Sequence, residues 1–142
     1  MHRTFLVLAL GIAMGVGGVV AAHHQDDGES VKLITARDIK ETWDGQDAMV
    51  TAVEVTIGPG QSGLAHRHPG AGFVYVLEGE YELGIDDQPT KLLKAGEVFY
   101  EPTGCLHRVS KNPAANRTTR LIAFVVHPRD AKEIVIPESI NK

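Results

Sequence analysis

The chain has 142 residues, 43% of them hydrophobic and 23% charged, and a net charge of −4. That composition folds, unlike a disordered chain, and its mild acidity without a Lys/Arg cluster argues against nucleic acid or an anionic membrane surface as partner. Cys105 is the only cysteine, which excludes an intramolecular disulfide and leaves stability to the core.

The first 22 residues read as a secretory signal. Arg3 supplies a positive start, Phe5–Val20 is an uncharged apolar run, and Val20, Ala21 and Ala22 place small residues at a cleavage point. The competing reading is an uncleaved anchor, which Gly11, Gly15, Gly17 and Gly18 weaken as a helix. No cysteine near Ala22 offers a lipid attachment point. Cleavage removes Arg3 alone among the charged residues, so the mature chain of 120 residues carries −5. The expected location is therefore exported, periplasmic or extracellular, with no stable membrane insertion after cleavage.

Residues 23–48 read as an N-terminal arm. His23–Ser30 is polar, with His23-His24 as a frayed stub. Thr35 to Asp38 predicts a capped helical turn running to about Trp43. From Met49 the pattern becomes that of strands: Val53, Val55 and Ile57 alternate with Glu54 and Thr56. Further short strands are predicted at Leu64–His68, Gly72–Leu77, Glu80–Ile85, Thr90–Leu93, Glu97–Glu101, Cys105–Ser110 and Thr119–Val126. Turn chemistry separates them at Pro69-Gly70, Glu78-Gly79, Asp86-Asp87, Ala95-Gly96, Pro102 to Gly104 and Asn112-Pro113. Many short strands and no long helical segment predict an all-β sandwich or barrel over residues 49–127. Residues 128–142 are left as a C-terminal extension. Asn116-Arg117-Thr118 fits a glycosylation acceptor by chance.

His66 and His68 are two residues apart in a strand, so both rings share one face. His107 lies in another predicted strand just after the Pro102 turn. Imidazole is the commonest protein ligand for Zn, Fe, Ni and Cu. Two ligands from one strand and a third from a neighbour would cap one divalent ion, leaving positions open to water or substrate.

The spacings carry more than the pair does. Gly60-x5-His66-x-His68 runs through a Pro-Gly turn to Gly79, and later comes Gly96-x5-Pro102-x-Gly104-x2-His107. Together these resemble the two signature motifs of the cupin superfamily, over roughly Met49–Val126. The resemblance implies a double-stranded β-helix, a jelly-roll-like barrel in a single domain, with His66, His68 and His107 as ligands of an interior ion (Fe, Mn, Ni, Cu or Zn). Two departures stand out. The position of the family's glutamate ligand holds Gly72, and the asparagine after the last histidine is one place late, at Asn112. Three neutral imidazoles leave both charges of the ion unneutralised, which favours anionic ligands.

Glu101, at the end of the strand before Pro102, either points inward, where it could ligate the ion or act as catalytic acid/base, or ends the strand as an exposed carboxylate, the commoner fate of glutamate. Cys105, of the same parity as His107, is expected to line the cavity or pack inertly. Gly72 and Gln61 are further cavity-lining candidates. Tyr75 is expected to pack or face an interface, Glu78 to serve a hairpin turn, and His127 to be solvated beside Pro128.

Two functions follow. One is an enzyme, a metal-dependent oxidoreductase of dioxygenase type or a relative, acting on a small anionic or enolic molecule. The other is a small-molecule-binding cupin without catalysis, since fold does not decide function. A barrel whose histidines hold no metal is the third possibility. A homodimer is expected, through cross-subunit pairing of Val31–Ile34 at a sheet edge.

Overall fold

Asp44 and Gly45 both take positive φ, 50° and 76°, as a two-residue hairpin turn requires. They fold β1 (Glu29–Trp43) back on β2 (Gln46–Ile57), from Trp43 opposite Gln46 to Glu29 opposite Ile57. This computed structural model describes residues 28–138. The signal at residues 1–22 and His23-His24 lie outside the described residues. The helical turn expected over Thr35–Trp43 is strand instead. A helix that short is marginal on its own, whereas the hairpin gives its backbone partners on β2. The same pairing sets Val31 opposite Val55 and Leu33 opposite Val53 of the same chain, so one edge of the segment expected to cross to a second subunit is already covered.

Eight further strands follow: β3 (His66–Arg67), β4 (Ala71–Glu78), β5 (Glu80–Ile85), β6 (Lys91–Lys94), β7 (Val98–Glu101), β8 (His107–Lys111), β9 (Thr119–Pro128) and β10 (Ile136–Pro137). All pair antiparallel, in two sheets of order β1-β2-β9-β4-β7 and β10-β3-β8-β5-β6. This is the all-β, two-sheet barrel expected from the sequence. Among the described residues no helix is long and apolar enough to cross a membrane.

The core lies between the sheets. Val53, Val55 and Ile57 of β2, Val74 and Val76 of β4, and Leu121 of β9 meet Tyr81, Leu83 and Ile85 of β5. Period-two alternation makes each strand one-sided, and burial of these branched side chains drives closure. Tyr81 stacks on Phe99, ring centroids 5.5 Å apart. The outer face of β9-β4-β7 is also apolar: Phe73, Tyr75, Tyr100 and Phe124 are about half exposed, and Phe73 packs on Tyr100 across the strands.

Two further expectations need correction. His127 is fully buried rather than solvated; its Nε2 meets Thr51 Oγ1 at 2.9 Å and its Nδ1 the Pro128 carbonyl at 2.8 Å. It continues the inward parity of Leu121 and Val125, and two hydrogen bonds satisfy its ring. Part of the C-terminal extension also belongs to the barrel, because Ile136 and Pro137 form β10 and pair with β3.

Candidate metal centre

The register of two strand pairs builds the site. His66 on β3 lies directly opposite His107 on β8, and Gly72 on β4 lies opposite Glu101 on β7. The first pair belongs to one sheet and the second to the other, so the groups meet across the barrel interior. Gly104, at φ 73°, makes the turn that delivers His107. Its N–H donates to the His68 carbonyl at 3.0 Å, and its own carbonyl accepts from Arg67 at 2.8 Å. A side chain at 104 would strain this left-handed backbone.

Each imidazole is held by its outer nitrogen. His66 Nδ1–H donates to the Leu64 carbonyl at 2.7 Å, and His68 Nδ1–H to the Ile134 carbonyl at 2.5 Å. Carbonyls only accept, so both Nε2 atoms present lone pairs. They lie 3.2 Å apart, lone pair against lone pair in these tautomers. His107 is held the other way round. Tyr81 donates its hydroxyl to Ser110 Oγ at 3.0 Å and so accepts from His107 Nε2–H at 2.9 Å, which leaves Nδ1 as the lone pair. That Nδ1 sits 2.9 Å from Glu101 Oε1. The two atoms are buried and misaligned for a hydrogen bond, and neither has another partner. Glu101 Oε2 is 3.4 Å from His68 Nε2.

With the rings in these tautomers, electron pairs converge from four side chains with no hydrogen between them, which is unfavourable unless a cation joins them. His66, His68 and His107 bring nitrogens within 4.8 Å of one another, and these residues fit a divalent ion. Burial, with the charge that His107 carries only when protonated, pulls His66 down to about 4, so it is neutral and free to coordinate at ordinary pH. Burial raises the Glu101 pKa, but the hydrogen bond and positive charge that His107 offers once protonated, with the charge of protonated His68 and His66, outweigh that and lower it overall, leaving a carboxylate. The exposed strand end expected for Glu101 is therefore corrected: it is 1% exposed. Its parity with inward-facing Phe99 puts it inside.

The four groups open onto a cavity of about 190 Å³ walled by Val53, Val55, Val74, Phe99, Leu121 and Val125. The volume falls below the ~300–1,000 Å³ of drug-sized sites, so it suits a small molecule. Among the described residues no lysine or arginine lines it, whereas Glu29 and Glu133 do. Tyr81, fully buried, has its pKa pushed well above 10 by burial and stays a neutral phenol. Glu133, Ile134, Val135 and Pro137 close one side. This C-terminal strap is tied down by the Glu138 N–H to the Ala65 carbonyl at 2.9 Å and by Arg67 Nε to Glu138 Oε2 at 3.1 Å.

Two lining candidates lie elsewhere. Cys105 is buried in the core cluster, outside the cavity wall; β8 begins at His107, so strand parity does not extend back to it. Burial pushes its thiol up to about 11, making it a poor nucleophile. Gln61 is exposed, its backbone bonded to Gly58 and Asn112. Gly72 backs the carboxylate instead of facing the cavity: a Cβ there would sit 2.7 Å from Glu101 Oε2. Sequence reasoning missed Tyr81, Ser110 and the Ile134 carbonyl. Tyr81 shares parity with Leu83 and Ile85, a signal that was legible, whereas the strap's return has no local mark.

Comparison with known proteins agrees with this fold. The family described as Cupin domain matches residues 53–125. A germin-like protein (subfamily 2 member 2) of Arabidopsis thaliana is 39% identical over 80 residues, covering 53% of this chain and only 36% of that protein. This chain thus spans about a third of that relative's length. Among solved structures, the DMSP lyase DddQ of Ruegeria pomeroyi superposes with TM-score 0.57 at 18% identity, covering 81% of this chain and 54% of that one. The polyketide cyclase RemF of Streptomyces resistomycificus superposes with TM-score 0.55 at 23% identity, covering 82% and 75%. At these identities the likeness is one of fold.

Proposed function

Because the chain belongs to the cupin family, we propose that it is a metal-dependent enzyme, an oxidoreductase of dioxygenase type or a relative, acting on a small anionic or enolic molecule. The observation that carries this is the convergence of the His66, His68 and His107 lone pairs on one point in the wall of an apolar cavity. A divalent ion bound there supplies Lewis acidity that favours the anionic form of an enol, phenol or carboxylic acid. The chain's own residues do the rest. Val53, Val55, Val74 and Leu121 pack the body of the molecule and exclude water, and the strap at 133–137 shields one side. With no cationic side chain in the wall among the described residues, an anionic group finds its counter-charge at the ion alone. The lyase and the cyclase of similar fold support a catalytic use of such a barrel without choosing its reaction.

The test is turnover. The mature chain, loaded in turn with Fe, Mn, Ni, Cu and Zn, is offered small enols, catechols and diketones while O₂ uptake and product are followed. Consumption of substrate with one of the ions is the expected result. Thermal stabilisation by these molecules without turnover would favour the second reading, a small-molecule-binding cupin, which the preponderance of apolar wall over acid–base groups supports.

We further propose that the mature protein is exported and dimeric. The exposed aromatic face of β9-β4-β7 supports the second point. Four half-exposed aromatics offer roughly 400 Å² of apolar surface, a suitable centre for an interface of about 800 Å² per partner. Native mass spectrometry of the protein from its source cells should show a dimer beginning near His23. A monomer, or a chain retaining residues 1–22, contradicts the corresponding half.

A further inference from the structure

In the cupin pattern the fourth ligand is a glutamate at the position that is Gly72 here. We infer that Glu101 takes its place as an anionic ligand of the ion held by His66, His68 and His107, reaching from β7 into the space that Gly72 leaves open on β4. This rests on the metal-dependent reading above and extends it.

Three observations carry it. The first is register: Gly72 and Glu101 are directly paired across β4 and β7, so a carboxylate from either position reaches the same interior point. The second is space. A Cβ on residue 72 would lie 2.7 Å from Glu101 Oε2 and 3.3 Å from Glu101 Cβ, so only glycine leaves the carboxylate where it is. The third is spacing. An ion with ligands at about 2.0–2.1 Å sets adjacent donors about 3.0 Å apart in an octahedron and about 3.4 Å in a tetrahedron. Three separations match: 3.2 Å between His66 and His68 Nε2, 3.4 Å from His68 Nε2 to Glu101 Oε2 and 2.9 Å from Glu101 Oε1 to His107 Nδ1; the three histidine nitrogens themselves span up to 4.8 Å, and the Glu101 carboxylate lies between His68 and His107. Glu101 Oε1 is buried without a hydrogen-bond donor, which leaves it available to a cation.

The consequence reaches the substrate. Three imidazoles alone would leave a site of charge +2, and the carboxylate brings it to +1. Among the described residues the wall adds no lysine or arginine and two further carboxylates, Glu29 and Glu133, so an incoming anion meets positive charge at the ion alone. A monoanion, such as a monocarboxylate or a single enolate, is thus favoured over a dianion.

Cobalt(II) serves as probe, because its visible spectrum reports ligand number and type as well as occupancy. In the full mature chain, Glu101→Gln should weaken Co²⁺ binding about a hundredfold and change the spectrum, while raising the melting temperature of the metal-free protein. The amide offers N–H donors to a cluster made only of acceptors. A carboxylate kept for structure alone would give the opposite sign in the metal-free melt. Gly72→Ala should fold normally yet bind Co²⁺ more weakly, because the displaced atom is the free end of a side chain. The double variant Gly72→Glu with Glu101→Ala should return to within about tenfold of the parent affinity, the carboxylate now coming from β4. Parent-like affinity and spectrum in Glu101→Gln overturn the inference and leave the three-histidine reading intact. A folded double variant that does not recover overturns the equivalence of the two positions. Failure of the parent chain to bind Co²⁺ overturns the three-histidine reading itself.

Discussion

Replacing His66 and His68 together by alanine is expected to take bound metal from about one equivalent per chain to background, with at least a thousandfold loss of affinity, roughly what removal of two of three imidazole ligands implies. The fold should survive. Both rings use their outer nitrogens on backbone carbonyls, of Leu64 and Ile134, and both inner nitrogens are lone pairs held 3.2 Å apart. In the metal-free protein the lost hydrogen bonds are offset by relief of that opposition. The melting temperature of the metal-free variant should therefore stay near the parent's, while the stabilisation conferred by added metal disappears. Elemental mass spectrometry of protein purified without a histidine tag makes the measurement. Metal content unchanged in the double variant would end the three-histidine assignment and return the barrel to a metal-free binding or structural role.

Asn112→Ala should destabilise the whole fold by about 3–4 kcal/mol, a fall in melting temperature of roughly 10–15 °C for a domain of this size. Asn112 is fully buried. Its two amide N–H groups serve three carbonyls, of Ile57 at 3.1 Å, Gly58 at 3.0 Å and Arg117 at 2.7 Å, one hydrogen being shared between two of them. Its oxygen accepts from the Ala114 N–H at 3.0 Å. One side chain thus ties the end of β2 to the loop between β8 and β9. Alanine removes all four contacts and strands buried carbonyls without a donor. Asn112→Asp, of nearly the same shape, should be worse, since it sets a carboxylate against three carbonyl oxygens. A thermal or urea melt decides it, and a shift of only a degree or two in Asn112→Ala would refute the peg. The damage should spread to the metal, because the tethered segment leads through Gly60, whose N–H donates to the Ala114 carbonyl at 2.8 Å, toward His66. This asparagine is one residue beyond its place in the family pattern, and its work here is structural.

Patterns within a few residues were legible in the sequence. Val53, Val55 and Ile57 alternate and are buried; Glu80–Ile85 is β5 end for end. Motif spacing placed His66, His68 and His107 together, and they are together. Some signals were present and outweighed. Asp44-Gly45 marks a two-residue hairpin, yet the cap-like Thr35 suggested a helix. Parity with Leu121 and Val125 turns His127 inward, and parity with Phe99 does the same for Glu101, against the usual exposure of such residues. Cys105 takes the inert core place that was one of its two expected fates, because strand parity does not extend back to it from His107.

The amino-acid sequence by itself determined the fold class, the strand pattern and the three histidines, because a strand's two-residue repeat and a motif's glycines and prolines act over short distances along the chain. The tertiary structure alone decided which residues face one another across the barrel. The pairing of Gly72 with Glu101, the Tyr81 contact that aims His107 Nδ1 inward, and the return of Ile134 to hold His68 join residues 26 to 66 positions apart. Strand register sets those meetings, and register follows from how two sheets bury their apolar faces together, which no local stretch of sequence contains.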